Sequence, residues 1–203
     1  MANNSKSKSK KISKTKKLRK SKKILMKGGT IEDELTDDDM IVLMEIINII
    51  KSKIESKDLI IKHDINYQNN TYIFQIISEN NISICTVDTN ITEKVIIDKE
   101  TKKETLMPVF NINWVYTDDI YKANGFATML LIYSICCLKC KYTDIQYVLL
   151  YDVTSRNTSR ANLYNKIGFE RIYIEGLEQV VIKQLLINKR FIRLALDALK
   201  IKL

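Results

Sequence analysis

From Phe126 to Leu138 the chain has almost no polar face. Phe126, Met129, Leu130, Leu131, Ile132, Ile135, Cys136 and Leu138 cover nearly every direction of a helix at 3.6-residue spacing. A helix that is apolar all round has to be buried. The run before it, Met107 to Tyr116, carries Val109, Phe110, Ile112, Trp114 and Val115 and reads as a strand. Between them lies a polar loop, Asp118 to Asn124, and the helix starts near Gly125. A strand that feeds a fully buried helix requires other layers to enclose it.

The junction between loop and helix is chemically suggestive. A helix start presents unpaired backbone N–H groups and the positive end of the dipole, which suits phosphate. In Lys122-Ala123-Asn124-Gly125-Phe126-Ala127, Gly125 lets the main chain approach a ligand closely, and Ala127 keeps the next position small. Lys122 adds charge, and Thr128 offers a hydroxyl. The plainer reading is a turn, since Asn-Gly is a common hairpin dipeptide, although a helical pattern follows it here and not a second strand.

The rest of the chain divides readily. Residues 1–29 alternate Ser and Lys with little to bury, and read as a disordered basic tail, with residues 30–203 as one domain. Thr36 is a helix cap, and acids at Asp37, Asp38 and Asp39 suit the first turn. Ile41, Leu43, Met44, Ile46, Ile47, Ile50 and Ile54 form the apolar face of a helix over about 37–56. Strands are expected over 71–77, 82–87 and 92–97, with a turn at Asn80-Asn81 and a charged loop over 98–105. Tyr147 to Val153 reads as a buried strand. A helix over about 159–167 stops at Gly168. Strands over 169–174 and 179–186 and an amphipathic helix over 189–202 complete the chain.

Charge and composition exclude several classes. The net +9 is local: residues 1–31 hold eleven lysines, Arg19 and no acid, which leaves 21 basic against 24 acidic side chains in the remainder, a net −3. The tail can bind nucleic acid or another polyanion non-specifically through counterion release, and no base-reading motif is present. No apolar run reaches the roughly 20 residues of a membrane helix, and no secretory signal opens the chain. A soluble intracellular protein, cytoplasmic or nuclear and not secreted, without membrane contact, is expected. The single histidine, His63, sits beside Asp64 and reads as a solvated loop residue, which argues against a Ser-His-Asp or Cys-His triad. Cys137 and Cys140 have C-x-x-C spacing, but no second pair exists, so they read as small apolar residues of the buried helix and no metal is expected.

Two motifs carry a resemblance. Tyr121-Lys122-Ala123-Asn124-Gly125-Phe126-Ala127 fits the form Arg/Gln-x-x-Gly-x-Gly/Ala, with Lys122 at the Arg or Gln position. Further on, Asn157, Leu163, Tyr164, Lys166, Gly168 and Phe169 fill the form Asn-x-x-x-x-x-Leu-Tyr-x-Lys-x-Gly-Phe, with Arg160 where a small residue is usual. In this order, separated by a helix and a strand, they resemble the GNAT superfamily of N-acetyltransferases over roughly residues 107–175. The resemblance implies an α/β (α+β) fold: a mixed central sheet of about six to seven strands, flanked by helices, with splayed fourth and fifth strands.

It also implies roles. Acetyl-CoA would be the co-substrate, its diphosphate held by Lys122, Ala123, Asn124, Gly125, Phe126, Ala127 and Thr128. Its pantetheine arm would pair with the strand edge at Val115, Tyr116 and Thr117, near Asn157. An amine acceptor, on a protein or a small molecule, would attack the thioester directly, in a ternary complex. Tyr164 is the candidate acid for the leaving thiolate, or else packs against the coenzyme. No acid lies between Met107 and Tyr116, and Asp118 and Asp119 read as solvated loop residues, so the general base is unassigned. The alternative is a catalytically weak or inactive GNAT-fold module that binds coenzyme A or partners and carries a polyanion-binding tail.

Overall fold

The structure, a computed structural model, describes residues 24–26, 35–98, 104–152, 163–172 and 181–200. In chain order the elements are β1 (Ile24–Met26), α1 (Asp37–Glu55), β2 (Leu59–Asn66), β3 (Thr71–Ser78), β4 (Ser83–Asp98), β5 (Glu104–Thr117), α2 (Phe126–Lys141), β6 (Tyr147–Asp152), β7 (Glu170–Ile172), β8 (Val181–Leu186) and a last helix, α3 (Lys189–Leu199). A helical turn at 163–166 precedes β7. Seven strands follow the order β2-β3-β4-β5-β6-β8-β7, and β1 pairs on the side with β4. Among the described residues only β5–β6 and β1–β4 pair in parallel; the other pairs are antiparallel.

Helix α1 begins as its sequence dictates. Thr36 accepts from the Asp39 N–H, and the Asp39 carboxylate accepts from the Thr36 N–H at 2.8 Å, a reciprocal capping box. Its buried stripe is Leu43, Ile46, Ile50 and Ile54. Ile41 and Met44, read above as part of that face, are instead exposed. They stand just outside the arc covered by the sheet and α2. Helix α2 is buried around most of its girth, from Phe126 to Leu138. Its last turn is secured by Lys139, whose buried ammonium donates to the Ile145 carbonyl at 3.1 Å. Asn188 caps α3 by accepting from the Phe191 N–H. Among the described residues no helix is long and apolar enough to cross a membrane.

All three helices and the 163–169 segment share one apolar core with one face of the sheet. Tyr72, Phe74, Ile76, Val87, Phe110, Ile112, Val148 and Leu150 point into it. A smaller cluster, Val109, Tyr147, Leu149 and Ile182, lies on the opposite face.

Several elements differ from the sequence reading. The two strands expected over 82–87 and 92–97 are one strand, β4, long enough to pair with β3 at one end and β1 at the other. Leu59–Asn66 is a strand that the sequence reading missed. It is an edge strand with most side chains in solvent, so it lacks an alternating signal. Ile24-Leu25-Met26 form β1, so the reading of residues 1–29 as uniformly disordered does not hold at these three positions. The remainder of that segment lies outside the described residues.

His63 is the clearest revision. It lies in β2, not in a loop, and although exposed its ring packs at the edges of Phe74 and Tyr133, with ring centroids 5.0 and 5.3 Å away. Its Nε2 is hydrogen-bonded to the Tyr133 hydroxyl at 2.9 Å. Burial, and then the positive Lys51, hold its pKa below the usual value. The unfolded chain therefore takes up a proton near pH 6.5 that the folded chain resists, so stability falls as pH drops below about 6.5. Chemical denaturation between about pH 8 and 5 should show this slope, and His63→Phe should flatten it.

Gly168 ends the 163–166 turn as expected, with φ +97°. The Phe169 N–H reaches the Tyr164 carbonyl and the Gly168 N–H the Asn165 carbonyl, the paired bonds of a Schellman close. A Cβ here would stand 3.0 Å from Leu194 Cδ1 and 3.3 Å from Leu185 Cδ1. Gly168→Ala should therefore cost about 1–3 kcal/mol in urea unfolding, through backbone strain plus crowding against both leucines.

Candidate functional site

The site begins with one extra residue. β4 and β5 pair in register from Cys85–Thr117 to Asp88–Trp114, and then from Thr89–Ile112 onward. Asn113 is the residue left over, a β-bulge, and a bulge bends its strand and sharpens its twist. The consequence appears on the other edge of β5. Its parallel pairing with β6 covers only Phe110–Ile112 against Val148–Leu150. From Asn113 to Thr117, β4 is the only strand partner of β5 among the described residues. β6 continues to Asp152 beside β8. The two parallel strands thus part at their carboxyl ends, where open α/β sheets place their ligands.

Val115 and Thr117 face the helices. Val115 is packed against the main core, and the Thr117 hydroxyl lies 3.3 Å from Cys85 Sγ. Burial raises the Cys85 thiol to about 11, so it stays neutral at physiological pH. Trp114 and Tyr116 point to the opposite face, about half exposed, with ring centroids 6.5 Å apart.

Beyond Thr117 the chain makes a single 3-10 turn, Asp119–Tyr121, capped by Asp118 Oδ1 accepting from the Ile120 N–H. The loop then uses two left-handed residues, Ala123 at φ +66° and Gly125 at φ +78°. Gly125 is the N-cap of α2 and supplies no side chain, so the first N–H groups of the helix are uncapped by any side chain. The first helical bond there runs from the Met129 N–H to the Gly125 carbonyl. A Cβ on Gly125 would meet nothing within 4 Å, so the space in front of the helix start is open. Asn124 Nδ2 donates to the Tyr121 carbonyl, and the Tyr121 and Phe126 rings lie 6.3 Å apart, which fixes the loop. Phe126 is buried; Ala127 and Thr128, in the first turn, are half-buried. Lys122 is exposed and ion-paired with Asp119, so its charge is shared with a neighbour. Asp118 and Asp119 are both accounted for by these local contacts.

Tyr164 stands in the helical turn before β7. Its ring packs at 5.8 Å from Phe169 and is almost fully buried. The buried Lys183 ammonium stands 5.1 Å over the same ring. Lys183 is opposite Leu150, the residue at which β6 loses contact with β5. A cation beside the phenol at that level is a feature that sequence reasoning missed, because it depends on strand pairing. Asn157 lies outside the described residues.

The cysteines of α2 are free thiols. Burial pushes Cys136 well above its usual pKa and Cys137 up to about 11. A cavity of about 410 Å³ lies at the α1–α2 seam, lined by Met44, His63, Tyr72 and Cys137 among others. It shares no lining residue with the β5–β6 opening or with the loop before α2.

No protein-family model and no curated protein sequence matches the chain. Solved structures do. Arabidopsis thaliana NAA60 in complex with acetyl-CoA aligns at 15% identity and TM-score 0.45, over 70% of this chain and 94% of that one. A bacterial toxin aligns at 15% identity and TM-score 0.47, over 66% and 74%. The ribosomal-protein-S18-alanine N-acetyltransferase from Escherichia coli aligns at 14% identity and TM-score 0.43, over 76% and 92%. A mixed sheet of seven strands in one order, flanked by helices, with a parallel pair that parts at its carboxyl ends, is the architecture that the resemblance to the GNAT superfamily implied.

Proposed function

We propose that the protein is an acetyl-CoA-dependent N-acetyltransferase that transfers the acetyl group directly to a primary amine in a ternary complex. The observation that carries this reading is the continuity of two features. The edge of β5 at Asn113–Thr117, which no strand among the described residues covers, leads through one 3-10 turn to the sterically open start of α2, where Gly125 supplies no side-chain cap. An extended, amide-bearing arm would add to that edge as a strand does. A diphosphate at its far end would meet the N–H groups of Gly125, Phe126, Ala127 and Thr128. Acetyl-CoA has both parts at matching ends, and it supplies the thioester that is attacked.

The chain's own groups then have distinct tasks. The edge and the loop fix the donor, and positioning of this kind supplies much of the rate. A backbone N–H near Val115 polarises the thioester carbonyl as its oxygen gains charge. The amine nitrogen, neutral when it attacks, forms the new C–N bond while the C–S bond breaks, and the proton it then sheds passes to solvent. Tyr164 gives its proton to the departing thiolate, and the Lys183 ammonium over its ring favours the phenolate that remains.

Two measurements test this. Acetyl-CoA at about 100 times its Kd should raise Tm on the order of 5–10 °C, and Gly125→Glu, which puts a carboxylate before the helix start, should abolish the rise. No rise in the unaltered chain would overturn the reading. Tyr164→Phe should retain the rise but lower kcat by about 100-fold. An unchanged kcat would reduce Tyr164 to a packing residue.

A further inference from the structure

An acceptor must be recognised as well as a donor, and the sheet face opposite α2 carries groups that neither donor binding nor the core uses. At the bulge, Asn113 and Trp114 both turn toward Asp88 on β4, the residue paired with Trp114. Asn113 Nδ2 donates to Asp88 Oδ1 at 2.6 Å and Trp114 Nε1 donates to Asp88 Oδ2 at 3.1 Å. Asn113 is itself oriented, because its Oδ1 accepts from Asn111 Nδ2 at 2.8 Å, and Asn111 also donates to Asn90. One half-buried carboxylate is thus held in a fixed orientation by two neutral donors, with no cation among these partners to neutralise it. A carboxylate oxygen has more acceptor sites than one such bond uses, so each still has capacity. Beside it, Trp114 and Tyr116 form an aromatic platform about half open to solvent.

We propose that Asp88, Trp114 and Tyr116 are the acceptor seat, and that the acceptor is an alkylammonium: a primary amine on an aliphatic stem, bound in its charged form. This rests on the N-acetyltransferase reading and gives it a substrate class. The chemistry is specific. A fixed anion attracts an ammonium, and aromatic faces attract cations and cover an aliphatic stem. An anionic or carboxylate-flanked amine would be repelled by Asp88. The position fits as well. The bulge that opens β5 from β6 is the same residue that orients Asp88, so the seat and the gap are built by one distortion, and the seat lies on the face away from α2 and the loop. An ammonium held there loses one proton to solvent before its nitrogen attacks, and it approaches the gap from the side that the donor leaves free.

Aliphatic ammonium groups occur on small polyamines and on lysine side chains, and the test separates them. The probes are cadaverine, a linear diamine, and a lysine-containing peptide blocked at its N-terminus; aniline, uncharged at neutral pH, is the neutral control. With the full chain and saturating acetyl-CoA, Asp88→Asn should raise KM for the charged probes about 10- to 100-fold, while KM for acetyl-CoA and for aniline stays unchanged. Trp114→Leu should raise it by roughly 2- to 30-fold, and serves if Asp88→Asn does not fold. Turnover of the diamine, the peptide or both supports the seat and identifies the source. Unchanged KM for the charged probes in both variants overturns it. So does a chain that binds acetyl-CoA yet acetylates neither charged probe. Should acetyl-CoA not bind at all, the N-acetyltransferase reading fails by itself; calorimetric titration of cadaverine into the full chain and into Asp88→Asn then decides the seat, and equal affinities overturn it.

Discussion

A sheet closes by hydrogen bonding, and this one is prevented from closing at a single residue. Asn113 adds one position to β5 that β4 does not match, and the pairing with β6 ends at the residue before it. Every feature of the candidate site follows. The unpaired edge is the stretch after the bulge, and the loop before α2 is where that stretch ends. The side chains of Asn113 and Trp114 meet at Asp88 because a bulge turns two successive residues to the same side. The core supports the distortion from below. Val115 stays packed among the helices, and the Asp118 N–H bonds to the Ile84 carbonyl at 2.9 Å, so the bent end of β5 is still tied to β4.

The two glycines that matter act differently. Gly125 has open space where its side chain would be, so its left-handed conformation and the room before the helix are both available to a ligand. Gly168 has no such space, since two leucines stand against it. One is a glycine that leaves space and the other a glycine of packing, although the sequence shows both simply as a glycine at a helix boundary. The same contrast applies to the charged residues. Lys139 and Lys183 are buried and directed at particular partners, whereas Lys122 is a surface charge already shared with Asp119.

Much of this was legible in the chain. Periodicity placed α1, α2, β6 and α3, because each buries one continuous pattern. Both motifs marked left-handed positions, which few residues other than glycine occupy readily. What stayed hidden was non-local. β2 exposes Lys62, His63 and Asp64 at an edge, so nothing in its sequence distinguishes it from a loop. β4 reads as two strands because Asp88, Thr89 and Asn90 look like a break, and only the partner strand β5 shows that pairing runs on through them. Met107 to Tyr116 holds no acid, and the carboxylate that faces Trp114 belongs to the neighbouring strand. Register across strands, not order along one, brings Asp88 to Trp114 and Lys183 to Leu150.

Strand β1 bears on how the sheet meets its surroundings. β3 parts from β4 at Asn90, and β1 takes up the same edge at Ile96–Asp98. An unpaired strand edge is a template on which another chain can add. Three residues from early in the sequence thus close part of the overhang that the length of β4 creates, and they do so in parallel, with backbone groups instead of charge.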